Sequence, residues 1–269
     1  MPSSIAIGIV FFVYLAVAAL VKPMPGWRRY RLGVVAGALI LAGVVLQHLP
    51  EAEWRSHVQN WLPGVYILAG YWLPAQLPAR HAPALALWLR EFDRRLLDAH
   101  GLHRAIERAP RVVLELLEAA YLCCYVIVPA GLVWLYVAGE SAEADRFWTA
   151  VLLGALPCYG LLPWLETLPP RSIERTTAIY ARHPTVRRAN LRLLGAASVQ
   201  ANTFPSGHAA ASVAAALAVA STTPLAGAVF LTIAAAIILG SVAGRYHYTL
   251  DSALGALAGV VGFLASRAS

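Results

Sequence analysis

The segment Gly244-Arg245-Tyr246-His247-Tyr248-Thr249-Leu250-Asp251 stands at the mouth of an apolar run. If a helix has begun there, His247 and Asp251 lie one turn apart on one side, so the carboxylate can fix the imidazole tautomer and stabilise its protonated form. That is the orienting half of a catalytic triad. The plain alternative is a buried pair that only satisfies itself, but ionisable groups at the end of a membrane helix are costly and as a rule functional. About forty residues earlier, Thr203-Phe204-Pro205-Ser206-Gly207-His208 also enters an apolar run directly. The free amides of a helix N-terminus attract phosphate, Gly207 admits an anion to the main chain, Ser206 adds a hydroxyl and an amide, and His208 adds a titratable group. Ser and Gly are also ordinary helix caps, so this tetrapeptide alone is a weak signal. In Leu168-Pro169-Pro170-Arg171-Ser172, Arg171 can clamp phosphate oxygens bidentately after two stiffening prolines. Arginines at a membrane surface also snorkel or bind lipid headgroups, which is the competing use.

The elements that must position these residues are membrane helices. With 269 residues, 59% of them hydrophobic and 13% charged, and a mean hydropathy of +0.63, a water-soluble globule is excluded. The formal charge of +7 on so apolar a chain suits anionic lipid or a phosphorylated substrate, and no nucleic-acid partner is expected. Cys123, Cys124 and Cys158 all lie inside apolar runs and read as small hydrophobes. The stretches Ile5–Val21, Leu32–Leu46, Leu62–Leu77, Leu116–Val137, Phe147–Leu165, Ala209–Ser221, Leu225–Ala243 and Leu250–Ser266 predict about eight spans in an all-α, polytopic transmembrane bundle. Leu62–Leu77 and Ala209–Ser221 are short for a full crossing, so a re-entrant segment would leave seven. Met1–Ser4 lacks the basic start of a signal peptide, so the first span reads as retained.

Three regions follow: N-terminal transmembrane helices over 1–80, an interfacial amphipathic connector over 81–111, and a catalytic membrane core over 112–269. Within the connector, Trp88 to Leu97 alternates apolar and charged residues at near-helical spacing. Small-residue spacings at Gly33/Gly37, Gly240/Gly244 and Gly255/Gly259 predict close helix packing. The loop from Glu166 to Thr203 carries Arg171, Arg175, Arg182, Arg187, Arg188 and Arg192. By span counting it shares a membrane face with His208 and His247.

Taken together, the Pro-Ser-Gly-His segment, the His-x-x-x-Asp segment and the earlier arginine resemble the type 2 phosphatidic acid phosphatase superfamily, over roughly Leu116 to Ser266. The resemblance implies a six-helix-type phosphatase core with His247 as nucleophile, Asp251 as its partner and His208 as the acid. It also implies Arg171, Ser206, Gly207 and Arg245 as ligands of the phosphoryl oxygens. Two features depart from the usual pattern. Trp164 stands where a Lys seven residues before the Arg is usual, with Ser172 after Arg171 in place of Pro; and Ser241 stands where an Arg six residues before the nucleophile is usual, with Arg245 two before it. The close Arg followed by His-Tyr and Asp is similar to the inositol-phosphorylceramide-synthase branch.

The implied chemistry is attack of neutral His247 on phosphorus, protonation of the leaving alkoxide by His208, and resolution of the phosphohistidine by water or by an alcohol. Arginines and amides stabilise the transition-state charge, so no metal and no cofactor are expected. The remaining histidines, His48, His57, His81, His100, His103 and His183, form no metal-ligand pattern. Three readings stay open: a phosphatase for a lipid phosphate monoester or pyrophosphate, a lipid headgroup phosphotransferase, and a non-catalytic transporter or scaffold. Of the 21 Lys and Arg, 18 fall on the face that carries the site, which predicts a cytoplasmic site in the inner membrane. Reading Leu62–Leu77 as re-entrant moves the first loop to the other face and leaves 15 against 6 in the same sense.

Overall fold

The computed structural model describes residues 1–79, 82–173, 185–199 and 201–268. The apolar runs of the N-terminal region fold as α1 (Ser3–Val21), α2 (Gly26–His48) and α3 (Glu53–Trp72). The connector forms α4 (Pro83–Ala99) and α5 (Leu102–Arg108). The core follows as α6 (Arg111–Leu122), α7 (Ile127–Val137), α8 (Ala144–Gly160), the short α9 (Pro170–Ile173), α10 (Thr185–Ala197), α11 (Gly207–Thr222), α12 (Pro224–Ala243) and α13 (Thr249–Ser266). Among the described residues there is no strand, only an isolated bridge between Thr167 and Asn202. The chain is thus an all-α bundle, and it is an integral membrane protein. By length and apolarity α1, α2, α12 and α13 can each cross a bilayer, and α6 with α7 makes a fifth candidate.

Two expected spans change shape. The run Leu116–Val137 is not one straight helix: α6 and α7 are bent by 65° at a short 3₁₀ turn over Cys123–Tyr125. Pro129 accounts for the break, since it offers no N–H to the Tyr125 carbonyl and its ring crowds that oxygen. The run expected at Leu62–Leu77 begins earlier, at Glu53, and stops at Trp72 just before Pro74.

Helix α8 forms the centre and is buried along most of its length, with α13, α11, α1 and α3 packed around it. Glycines make the approach of α13 possible. A Cβ at Gly259 would meet the Ala210 carbonyl oxygen at 2.5 Å, and one at Gly262 would meet the Ala150 carbonyl oxygen at 2.6 Å. The Gly255/Gly259 spacing therefore does what small-residue spacing does in membranes. Gly33 and Gly37 do not: among the described residues nothing lies within 4 Å of a Cβ at either position, and both are exposed.

Helix ends fix the direction of the N-terminal unit. Asp145, in the first turn of α8, accepts the amide N–H groups of Ser3 and Ser4 at 2.9 and 3.0 Å. At the other end, Lys22 Nζ donates to the Pro163 carbonyl at 2.6 Å. Helices α1 and α8 therefore run parallel, and the basic connection after Lys22 lies at the same end as the start of α11 and α13.

Candidate functional site

The turn between α12 and α13 is held at every step. Arg245 adopts φ 60°, a left-handed conformation that costs a non-glycine residue on the order of 1 kcal/mol and persists only where the surroundings fix it. The Ser241 carbonyl accepts the amides of Tyr246 and His247 at 2.9 and 3.1 Å. His247 Nδ1 lies 3.0 and 3.2 Å from the two carboxylate oxygens of Asp251, and Asp251 Oδ2 also accepts the Tyr248 N–H at 3.1 Å. With the Nδ1 proton given to Asp251, the lone pair of His247 sits on Nε2. Both side chains are buried, so the pair is strong and its geometry well defined.

His247 forms part of the wall of a cleft of about 320 Å³, together with His208, Arg171, Tyr71, Tyr121, Tyr159, Ser198, Asn202 and Thr203 among others. The rings of His208 and His247 are 6.1 Å apart between centroids at 79°, close enough for one phosphoryl group to touch both. Tyr71 and Tyr125 flank His208 at 5.5 and 5.9 Å. The Arg171 guanidinium lies 5.2 Å from the Tyr246 ring centre, and the Arg171 amide donates to the Arg245 carbonyl at 3.0 Å.

Backbone and side-chain bonds cross-brace the three segments that carry these groups. The Thr167–Asn202 bridge joins the first to the second, Asn202 Nδ2 donates to the Tyr246 carbonyl at 2.8 Å, and Tyr248 Oη donates to the Leu168 carbonyl at 3.2 Å. Ser206 N–H donates to the Asp251 carbonyl at 3.1 Å.

The structure thus brings His247, Asp251, His208 and Arg171 together and sets Ser206, Gly207 and Arg245 behind the cleft wall. Ser206 caps α11, its hydroxyl accepting the Ala209 N–H at 3.4 Å, and the Gly207 amide donates to Thr203 Oγ1 at 3.2 Å. A Cβ at Gly207 would lie 2.0 Å from the Tyr159 ring, so glycine is needed there for packing. Arg245 is buried with Nη1 3.7 Å from Asp93 Oδ2. Arg80, His81, Arg175, Arg182 and His183 lie outside the described residues.

Two buried acids complete the surroundings, and neither stands out in the sequence as part of a site. Glu118 of α6 accepts hydrogen bonds from Arg187 Nη1, from Asn190 Nδ2 at 2.6 Å and from Tyr246 Oη. Arg187 also donates to the Gly244 carbonyl at 3.2 Å, and the Tyr246 ring stacks on Tyr121 at 4.0 Å. Burial and the Glu118 charge push the Tyr246 phenol far above its usual range, which keeps it a neutral donor. A lone Glu inside an apolar run is the available signal. Asp93 of α4 accepts the Thr249 N–H at 2.9 Å, at the first turn of α13. Burial holds its carboxyl above its usual range, though the Thr249 N–H and the Arg245 charge draw it part of the way back.

A family model described as the PAP2 superfamily matches residues 87–265. The chain belongs to the PAP2 superfamily. Its type is therefore phosphatase or phosphotransferase, carried on a membrane scaffold. No curated protein and no solved structure matches the chain. The match begins within α4, about thirty residues before the resemblance at Leu116, and so takes in Asp93. The departures from the usual PAP2 pattern also find places. Trp164 carries Lys22 Nζ over its ring at 4.0 Å and donates to Tyr14 Oη at 2.7 Å, tying the end of α8 to α1. Ser241 supplies the carbonyl beneath the His247 turn, and its hydroxyl lies 3.3 Å from that of Ser252.

Proposed function

We propose that the protein hydrolyses a lipid phosphate monoester or pyrophosphate through a phosphohistidine on His247. The observation that carries this reading is the pairing of a His247 imidazole, oriented by Asp251, with His208 across a cleft that also holds Arg171. His247 Nε2 attacks phosphorus as its bond to the leaving oxygen breaks, that of the lipid alcohol in a monoester or of the lipid phosphate in a pyrophosphate, and the proton that neutralises this oxygen comes from His208. Water then gives its proton to His208 while its oxygen takes the phosphoryl group, which regenerates free His247. Arg171 contacts the equatorial oxygens, where a planar fork stabilises spread charge. Ser206, Gly207 and Arg245 act at one remove, by shaping the two helix starts that hold His208 and His247. Imidazole and guanidinium groups supply nucleophile, acid and charge, so the reaction needs no metal.

The second reading is transfer of the phosphoryl-bearing headgroup to an alcohol, as in the inositol-phosphorylceramide-synthase branch; the Arg245-Tyr246-His247-Tyr248 sequence favours it. Both break the bond between phosphorus and the lipid oxygen by attack of His247, but in the transferase the phosphoryl group left on His247 still carries the headgroup and an alcohol takes it in place of water. On orientation, the basic connection after Lys22 at the site's end favours a cytoplasmic cleft facing lipids of the inner leaflet. The test is phosphate release by the purified protein from phosphatidate, sphingosine phosphate and a polyprenyl pyrophosphate, each with and without an added alcohol. Inorganic phosphate is the expected product. A phosphate ester of the added alcohol in its place selects the transferase, and no turnover on any of the three overturns the enzymatic reading for these lipids.

A further inference from the structure

The interfacial helix α4 presents its buried face as Ala86, Leu89, Asp93 and Leu97, a spacing of three, four and four residues that makes one stripe. Three of these positions are apolar, as a packing stripe requires. The fourth is a carboxylate with 0% exposure, set against the start of α13. A buried acid on a packing stripe is expensive unless it does something there. Its two neighbours show what it does, since Oδ1 takes the Thr249 N–H at 2.9 Å and Oδ2 faces Arg245 Nη1 at 3.7 Å. These two residues bracket His247 in the chain. Asp251 holds the same turn from within α13, through His247 and the Tyr248 N–H. Two carboxylates from different helices therefore grip successive amides, Tyr248 and Thr249, at the positive end of one helix dipole.

Arg245 transmits the grip further. Its backbone is left-handed, and its carbonyl accepts the Arg171 N–H at 3.0 Å. Fixing the Arg245 side chain on Asp93 thus fixes both the approach to His247 and the strand of chain that carries Arg171. From this geometry we infer that Asp93 is a positioning residue for the reaction: through Thr249 and Arg245 it sets where His247 and Arg171 stand, and it couples the interfacial helix to the catalytic turn. The inference rests on the proposed reaction for its kinetic consequence and on the fold alone for its structural one.

The experiment measures both in the full-length protein in detergent, comparing wild type with Asp93→Asn and Asp93→Ala. Amide exchange over 244–252 is followed by mass spectrometry, and kcat and KM are taken from phosphate release on phosphatidate micelles. In Asp93→Ala, exchange over this segment should rise about tenfold and kcat should fall about tenfold while KM moves by less than about threefold. Asp93→Asn keeps an oxygen for the Thr249 N–H but no charge for Arg245, so exchange stays near wild type and kcat falls by about threefold to fivefold. Wild-type exchange and kcat in a folded Asp93→Ala protein would overturn the inference. So would an Asp93→Asn protein with unchanged kcat, which also decides the matter if Asp93→Ala fails to fold. A wild-type protein inactive on phosphatidate, with exchange still faster in Asp93→Ala, would count against the proposed reaction and leave the positioning role standing.

Discussion

Two buried acid–arginine pairs flank the turn that carries His247, and they are built differently. On one side Glu118 is saturated: Arg187, Asn190 and Tyr246 all donate to its carboxylate, and Tyr246 is stacked beneath on Tyr121. On the other side Asp93 takes one backbone amide and faces Arg245 across 3.7 Å. In a medium of low dielectric a carboxylate with all its bonds made is a lock, whereas one with a longer ionic contact is a constraint that can adjust. The difference suits their positions. The Glu118 side holds the Tyr246 ring against which the Arg171 guanidinium lies, while the Asp93 side holds the backbone from which Arg171 and His247 are hung.

The largest effect that would sharpen this contrast is at the lock. Glu118→Ala strands Arg187 without its partner, and removal of one member of a buried pair costs about 3–5 kcal/mol. A drop of many degrees in the detergent melting temperature, with loss of activity, is expected; a melting curve within a degree or two of wild type would mean that the cluster is not a lock. Next come the two arginines nearest the turn. Arg171→Lys replaces a fork on the cleft wall with a point charge and should raise KM about tenfold or more, whereas Arg245→Lys should lower kcat by a smaller factor with little change in KM. The reverse split would move Arg245 onto the phosphate. Activity should persist in excess EDTA and fall with orthovanadate, whose five-coordinate form resembles the transferring group. Loss on chelation, restored by Mg²⁺, would bring a metal into the site. The smallest effect is expected at Tyr71, whose hydroxyl lies 3.1 Å from Ser198 Oγ and accepts the Val199 N–H at 3.3 Å. Tyr71→Phe removes about 1 kcal/mol of bracing and should change kcat/KM by no more than about fivefold, with the ring still beside His208.

Much of the site is legible in the sequence because short-range spacing carries it. His247 lies just before the start of α13 and Asp251 in its first turn, where the carboxylate folds back over the helix start, so the pairing follows from four residues of sequence, and span counting alone brings Arg171, His208 and His247 to one end. What cannot be read there depends on long-range contact. Asp93 is 156 residues from Thr249, and only the buried stripe of α4 shows that one charged position faces inward. Arg245 sits two residues from His247, yet a left-handed backbone turns it toward α4, and no propensity predicts that for arginine. Ser206 and Gly207 have the composition of an anion site, but their amides are taken up by Asp251 and Thr203, which are distant or non-helical partners. The bend after Tyr125 is written in Pro129, whereas the face of α2 bearing Gly33 and Gly37 shows that small-residue spacing says nothing of whether a neighbour is there.

The proposed mechanism turns on a covalent intermediate at one nitrogen. The direct measurement is to mix the purified protein with phosphatidate bearing a radiolabelled phosphate, quench in base within milliseconds, and map the label by digestion. A base-stable, acid-labile phosphoryl group on the peptide containing His247 is expected in wild type and is expected to be absent from a folded His247→Ala protein that is also inactive. Turnover by His247→Ala at the wild-type rate, or label on any other residue, would contradict it.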